Sequence, residues 1–185
     1  MTIGGKSIRE HLEAINHREA ILYVERVIAN SEPLTLHFIK GLHQLILKGI
    51  DDEWAGVWRK SNVIIAGATH VPPSHIQVPE QMEALANWYS EASQNLHPVK
   101  LAAQLHSDFV KIHPFVDGNG RTARLLMNFE LMKNGFPPLI LPVEKRLEYY
   151  EALDRAHVEG DRDLFVNLIA GLVEQSFEPY WYVLG

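Results

Sequence analysis

The segment from Pro98 to Gly135 constrains this chain more than any other. Pro98 suits the first turn of a helix, where a missing N–H costs nothing. Ala102, Leu105, Phe109 and Ile112 then recur at helical spacing. His113 falls just beyond that stripe, and Pro114 ends the helix because its ring clashes with the preceding turn. A glycine-bearing turn follows, and Arg121 to Asn134 reads as another helix, closed at Gly135. Between the two lies HPFVDGNGRTAR, His113 to Arg124. It carries more ionisable and hydrogen-bonding chemistry than a connecting turn requires.

Helical patterning extends to both sides. Ser7 and Glu10 form a capping-box signature that opens a helix to about Asn30, with Ile8, Leu12, Ile15 and Leu22 near one face. Thr35 starts a helix carrying Phe38, Leu42 and Leu45, stopped at Gly49. In QMEALANWYSEASQN the stripe is Met82, Leu85, Trp88 or Tyr89, and Ala92, while PVEKRLEYYEALDRAHVEG and DRDLFVNLIAGLVEQSF supply two further helices. Asp51 to Pro79 differs in character. Its β-branched runs, broken by Gly67, Pro72, Pro73 and Pro79, predict a small hairpin or extended flap. The expected fold is all-α with one short β element. Residues 1–185 read as a single domain, without repeat or linker.

Composition narrows the classes of function. A chain of 185 residues, 46% hydrophobic and 22% charged, is globular and long enough for a sizeable core. A formal charge of −6 disfavours nucleic acid as a partner, since phosphate backbones want clustered Lys and Arg. The absence of Cys excludes disulfides, thiolate catalysis and Cys-ligated zinc. No run approaches the roughly 20 apolar residues of a membrane span, and MTIGGKSIREH lacks a signal-peptide core. A cytoplasmic location without membrane partners is the expectation.

The polar cluster has a physical reading of its own. Placed near Asn119, a helix start leaves unpartnered N–H groups and carries roughly half a positive charge. Gly118 and Gly120 let a ligand approach that backbone, and such a terminus binds anions. Arg121 and Arg124 lie about one turn apart and can address the same anion, enough for a polyphosphate. Polyphosphates travel with Mg²⁺, which favours one or two carboxylates, and Asp117 is the carboxylate in the cluster. His113 is the group suited to take a proton near neutral pH. A DGNG run alone is a common turn. GNGRTA also matches the dinucleotide fingerprint, but that fingerprint follows a strand, and here a helical stripe and a proline precede it.

HPFVDGNGRTAR also resembles the Fic motif, HxFx(D/E)GNGRxxR, at every defined position. WRKSNVIIAGATHVPPS resembles the family's flap, LHPVKLAAQLHSDFVKI its approach helix, and LLMNFELMKNGFPPLIL its continuation, so the likeness runs from about Gly5 to Phe177. The resemblance implies a Fic/Fido-like helical domain with a short β-hairpin flap at about 61–78. It further implies transfer of AMP from ATP, with Mg²⁺, to a Ser, Thr or Tyr hydroxyl of a target protein. Its residue assignments make His113 the base and Asp117 the metal ligand. Gly118, Asn119 and Gly120 form the anion hole, and Arg121 and Arg124 bind phosphate. Val63, Ile64, Ile65, Ala66, His70 and Val71 belong to the flap that clamps the target as an added strand. Tyr149 and Tyr150 match positions that close over the nucleobase. His157, where relatives often place Asn, stands on one helix face with Tyr150. The other uses of such a fold are transfer of another nucleotide, removal of AMP, or a nucleotide-binding toxin-type module held by a partner.

Many Fic proteins carry an inhibitory helix, (S/T)xxxE(G/N), whose glutamate pairs with the second motif arginine. At Glu159–Gly160 the Ser/Thr position is Arg155, and no other segment fits. In relatives with an upstream inhibitory helix, a segment resembling IGGKSIREH follows it closely. The expectation is a chain beginning just after such a segment, or one served by an antitoxin-like partner. It would therefore be disinhibited as it stands and able to modify itself. Family members are often dimers, and FEPYWYVLG offers apolar surface to a neighbour or to the chain's own core.

Overall fold

Ser7 opens the first helix as its sequence predicts. Its hydroxyl accepts from the Glu10 N–H, and the Glu10 carboxylate accepts from the Ser7 N–H at 2.6 Å. A computed structural model describes residues 2–3 and 6–184. Its helices are α1 (Ile8–Ala29), α2 (Leu36–Leu47), α3 (Val78–Ala92), α4 (Pro98–Ile112), α5 (Asn119–Lys133), α6 (Arg146–Val158), α7 (Asp163–Gln175) and α8 (Glu178–Leu184). Two strands of two residues, β1 (Thr2–Ile3) and β2 (Lys6–Ser7), pair antiparallel with Thr2 opposite Ser7. The fold is all-α, as expected.

Helices α4 and α5 form the central pair. Leu101, Leu105 and Phe109 of α4 and Leu125, Leu126 and Phe129 of α5 join a core completed by α1, α2 and α3. On the opposite side Ala102, Ala103, Met127 and Leu131 join a second core with α6 and α7. The helix pair is thus gripped from both sides, and the polar turn is its connection. Met82, Leu85 and Tyr89 are buried on α3, so Tyr89 rather than Trp88 completes that stripe. No helix among the described residues is long and apolar enough to cross a membrane.

Two expectations change. On α1 the buried residues are Asn16, Ala20, Val24 and Val27, while Ile8, Ile15 and Leu22 are exposed. The reason is Asn16, whose amide donates to the carbonyls of Ile46 and Lys48 at 3.2 and 2.7 Å. A buried side chain that satisfies the end of α2 fixes the rotation of α1, and apolar counting cannot see it. The flap, residues 61–78, contains no strand pairing. A turn in which the Ala68 N–H donates to Ile65 O, with Gly67 at φ +81°, divides it, and a 3-10 turn at His75–Gln77 leads into α3. Side chains hold the flap, in place of a ladder.

Candidate active site

The turn from α4 into α5 is closed from within. The Asn119 amide accepts from the Phe115 N–H and donates to the Phe115 carbonyl, both at 2.9 Å. Thr122 donates to the Gly118 carbonyl from its N–H and its hydroxyl, at 2.9 and 3.0 Å. Phe115 is fully buried, and the His43 ring stacks flat on it, centroids 3.5 Å apart. His43 Nδ1 accepts from the Gly56 N–H at 2.9 Å, so Nε2 carries the proton and donates to the Asp117 carbonyl at 2.8 Å. Burial pushes the His43 pKa down to about 4, which keeps this tautomer neutral.

The two glycines play different parts. Gly118 has φ +76°, and a Cβ there would meet His43 Nε2 at 3.2 Å, so the fold itself requires glycine. At Gly120 a Cβ would make only ordinary contact with Arg124 at 3.6 Å. Nothing in the packing demands that glycine, and its bareness leaves room for something approaching the backbone. Gly118, the N-cap of α5, offers no side-chain acceptor to the first-turn N–H groups of Asn119, Gly120 and Arg121.

His113 caps α4 in the left-handed region at φ 51°, a conformation that a non-glycine residue adopts only when its surroundings impose it. Its carbonyl accepts from Arg59 Nε at 2.9 Å. Burial lowers the His113 pKa to about 4, and the charges of Arg59 and His70 push the same way against Asp117. The ring is neutral at physiological pH and free to accept a proton.

Asp117 is half-exposed and already engaged. Its Oδ2 lies 2.7 Å from Arg9 and 3.3 Å from Arg121, and its Oδ1 accepts from the Gly118 N–H at 2.6 Å. Glu13 completes the group, 3.2 Å from both Arg9 and Arg121. One accessible carboxylate beside an open helix start suits Mg²⁺, which takes few protein ligands and shares the rest with phosphate and water. An ion held there would displace Arg9 from Oδ2. Among the described residues no carboxylate pairs with Arg124. Its side chain lines a cavity of about 680 Å³, with His17, Glu25, Asn128, Tyr149 and Tyr150.

The nucleobase candidates of α6 separate. Tyr149 is buried, its hydroxyl 2.7 Å from His106 Nε2, with burial raising its pKa to about 12. Tyr150 is half-exposed on the cavity wall, with the Arg146 guanidinium over its ring. His157 is turned elsewhere: its Nε2 lies 2.9 Å from Ser107 O, and its ring meets His70 of the flap at 5.1 Å. Tyr150 and His157 share a helix face on paper. They stand two turns, about 10 Å, apart, and the face passes from cavity to flap between them.

In the flap, Ile64 and Val71 are 86% and 70% exposed, and Ala66 also faces solvent, whereas Val63, Ile65 and His70 are half-buried. Asp154 Oδ1 accepts from the N–H groups of Thr69 and His70, at 2.8 and 3.1 Å. Arg59 donates to the carbonyls of Ser61 and Pro73. The sequence reading overlooked Arg9, Glu13, His43, Arg59 and Asp154. The partners that place them at the site, such as Asp117 for Arg9 and His43, His113 for Arg59 and Thr69 for Asp154, lie more than fifty positions away, beyond any local pattern.

The Fic/DOC family profile matches residues 33–131, just over half of the chain. Protein adenylyltransferase Fic of Drosophila grimshawi is 41% identical over 181 residues, 97% of this chain. The same protein of Drosophila willistoni is 40% identical over the same length. The chain spans 37% and 36% of those two relatives. Among solved structures, Fic-1 (aa134–508) from C. elegans superposes with a TM-score of 0.90 at 36% identity, over all of this chain and 55% of that one. IbpAFic2 in complex with adenylylated Cdc42 shares the fold, with a TM-score of 0.66 at 20% identity over 86% of this chain and 55% of that one. By profile, by identity and by fold, the chain belongs to the Fic/DOC family.

Proposed function

We propose that the chain transfers AMP from Mg·ATP to a Ser, Thr or Tyr hydroxyl of a protein target. The observation that carries this reading is the turn itself: a neutral, partly accessible His113, a reachable Asp117 and an uncapped helix start converge within nine residues. The curated relatives named adenylyltransferase support it.

His113 accepts the proton of the acceptor hydroxyl as that oxygen attacks the α-phosphorus. The new O–P bond forms as the bond to the β-phosphate oxygen breaks, and pyrophosphate leaves with the electron pair. The first-turn N–H groups of Asn119 and Gly120, with the Arg121 and Arg124 guanidiniums, hold the phosphates, while Gly118, its N–H on Asp117, shapes the turn. Asn119 serves by shaping that turn, since its side chain is occupied at Phe115. Asp117 would hold Mg²⁺, which neutralises phosphate charge. The nucleobase rests against α6, with Tyr149 and Tyr150 as candidate contacts; His157 faces the flap instead. The flap, through Val63 to Ala66 and His70 to Val71, receives the target's extended segment.

The target is a protein, and the chain itself is the substrate at hand. Control fits the open Arg124: a glutamate from a preceding segment or an antitoxin-like partner entering the cavity would pair with it. A homodimer would cover the exposed Ile8, Ile15 and Leu22. Incubation with Mg·ATP followed by intact-mass measurement tests the activity. A gain of one AMP is expected from the wild type and none from His113→Ala, with Mg·ATP binding by calorimetry preserved in the variant. Bound, intact ATP with no mass gain in the wild type would replace the enzyme with a nucleotide-binding module.

A further inference from the structure

Arg59 is 2% exposed, and no carboxylate of the described residues pairs with it. A buried guanidinium without an anion is costly unless its donors are met by other groups. Here backbone carbonyls meet them. Nε donates to His113 O at 2.9 Å, Nη1 to Ser61 O at 2.9 Å, and Nη2 to Pro73 O, with Ile112 O at 3.5 Å. Its own N–H donates to Pro114 O at 2.9 Å. Residues 112–114 end α4, where carbonyls lack helical partners and carry the negative end of the helix dipole. That partial charge takes the place of a counter-ion.

These partners fall into two groups with one side chain between them. Ser61 and Pro73 are the two feet of the flap, and His113 bears the reactive ring. We propose that Arg59 is the positioning residue that sets the acceptor-docking flap against His113, an inference that rests on the transfer reading above. The guanidinium is planar and rigid, so its fork fixes the spacing between flap feet and helix end. By holding the His113 carbonyl it also orients the left-handed peptide from which the imidazole projects. A lysine could keep the charge but not the fork, because a single ammonium cannot span carbonyls on both sides. Past its turn the flap is tethered by Asp154, which accepts from Thr69 and His70, by His70 Nε2, 3.0 Å from Lys111 O on α4, and by Asn62 Oδ1, which accepts from the His75 N–H at 2.9 Å. None of these contacts reaches His113.

The decisive variant is Arg59→Lys, studied by three measurements: self-modification by intact mass, Mg·ATP binding by calorimetry, and amide exchange across residues 61–74. Expected are ATP affinity within about twofold of wild type, faster exchange at the flap feet, and a transfer rate down about a hundredfold. That loss is the usual consequence of misplacing a reacting group by an ångström. Unchanged flap exchange, or ATP affinity falling in step with transfer, would overturn the proposal. If the variant does not fold, Asn62→Ala serves instead. The amides at the two feet, Ser61 and Ser74, should stay protected because Arg59 still holds the carbonyls of Ser61 and Pro73, and lost protection there would make Asn62 the tether. If the wild type gains no AMP, the activity reading fails, yet the exchange data still judge Arg59.

Discussion

The motif turn and the flap meet at His113, yet they are built in opposite ways. From Phe115 to Thr122 the turn is secured by its own short-range hydrogen bonds and by the ring of His43, with little freedom left. The flap carries no ladder and is held by Arg59, Asn62, Asp154 and the His70–Lys111 contact, with Ile64 and Val71 in water. On the proposed transfer reading, the difference maps onto the two substrates. Phosphate groups are the same in every ATP and reward a preorganised cradle. A protein segment varies, and an extended backbone with open edges can accept it by strand addition.

Acid is the broadest way to break the motif side. His43, His106 and His157 are buried and His113 is partly so, with pKa values lowered to about 4, 3, 4 and 4 for His43, His106, His113 and His157. Between those values and the unfolded value near 6.5, the unfolded chain binds more protons, so stability falls as pH falls. Each ring contributes up to about 1.4 kcal/mol per pH unit in that window. Thermal melts at pH 7 and pH 5 should differ by well over ten degrees, and superimposable melts would mean the rings are not held neutral. Gly118→Ala strikes the turn alone. Strain at φ +76° and pressure on His43 should remove about 1–3 kcal/mol by denaturant titration and weaken Mg·ATP binding at least tenfold. His43→Phe keeps the stack on Phe115 and loses both hydrogen bonds. A loss of about 1–2 kcal/mol is expected, with ATP affinity down severalfold and flap exchange unchanged. On the other side, Ile64→Ser should leave stability within about 0.5 kcal/mol while slowing transfer a few-fold. A large stability loss there would place Ile64 in the core and end the contrast.

The same contrast explains what the sequence made legible. The motif, the ends of α4 and α5, and the stripes of Ala102 to Ile112 and Met82 to Tyr89 depend on neighbours within a few residues, so spacing reveals them. The flap's β-branched runs carry strand propensity, but propensity is satisfied or denied by what stands opposite. Here the carbonyls of Ser61 and Pro73 face a guanidinium. Asn16 misled the reading of α1 for a related reason: its partners, Ile46 and Lys48, are about thirty positions away. Arg9 on Asp117 bridges 108 positions, and no local pattern announces it.

Asn119 leaves one last consequence, for the ageing of the protein. Asn followed by Gly is the dipeptide most prone to lose its amide nitrogen, because the bare N–H of the next residue can attack the side-chain carbonyl. Here that carbonyl is fixed on the Phe115 N–H and the backbone is helical, a shape that keeps the attacking nitrogen away. Deamidation would put an oxygen where Nδ2 now donates, facing the Phe115 carbonyl with a negative charge. The fold therefore guards the chemical lifetime of its own turn. Peptide mapping after prolonged incubation should find Asn119 intact in the native chain and converted in the denatured one; equal conversion in both would show that the folded turn gives no such shelter.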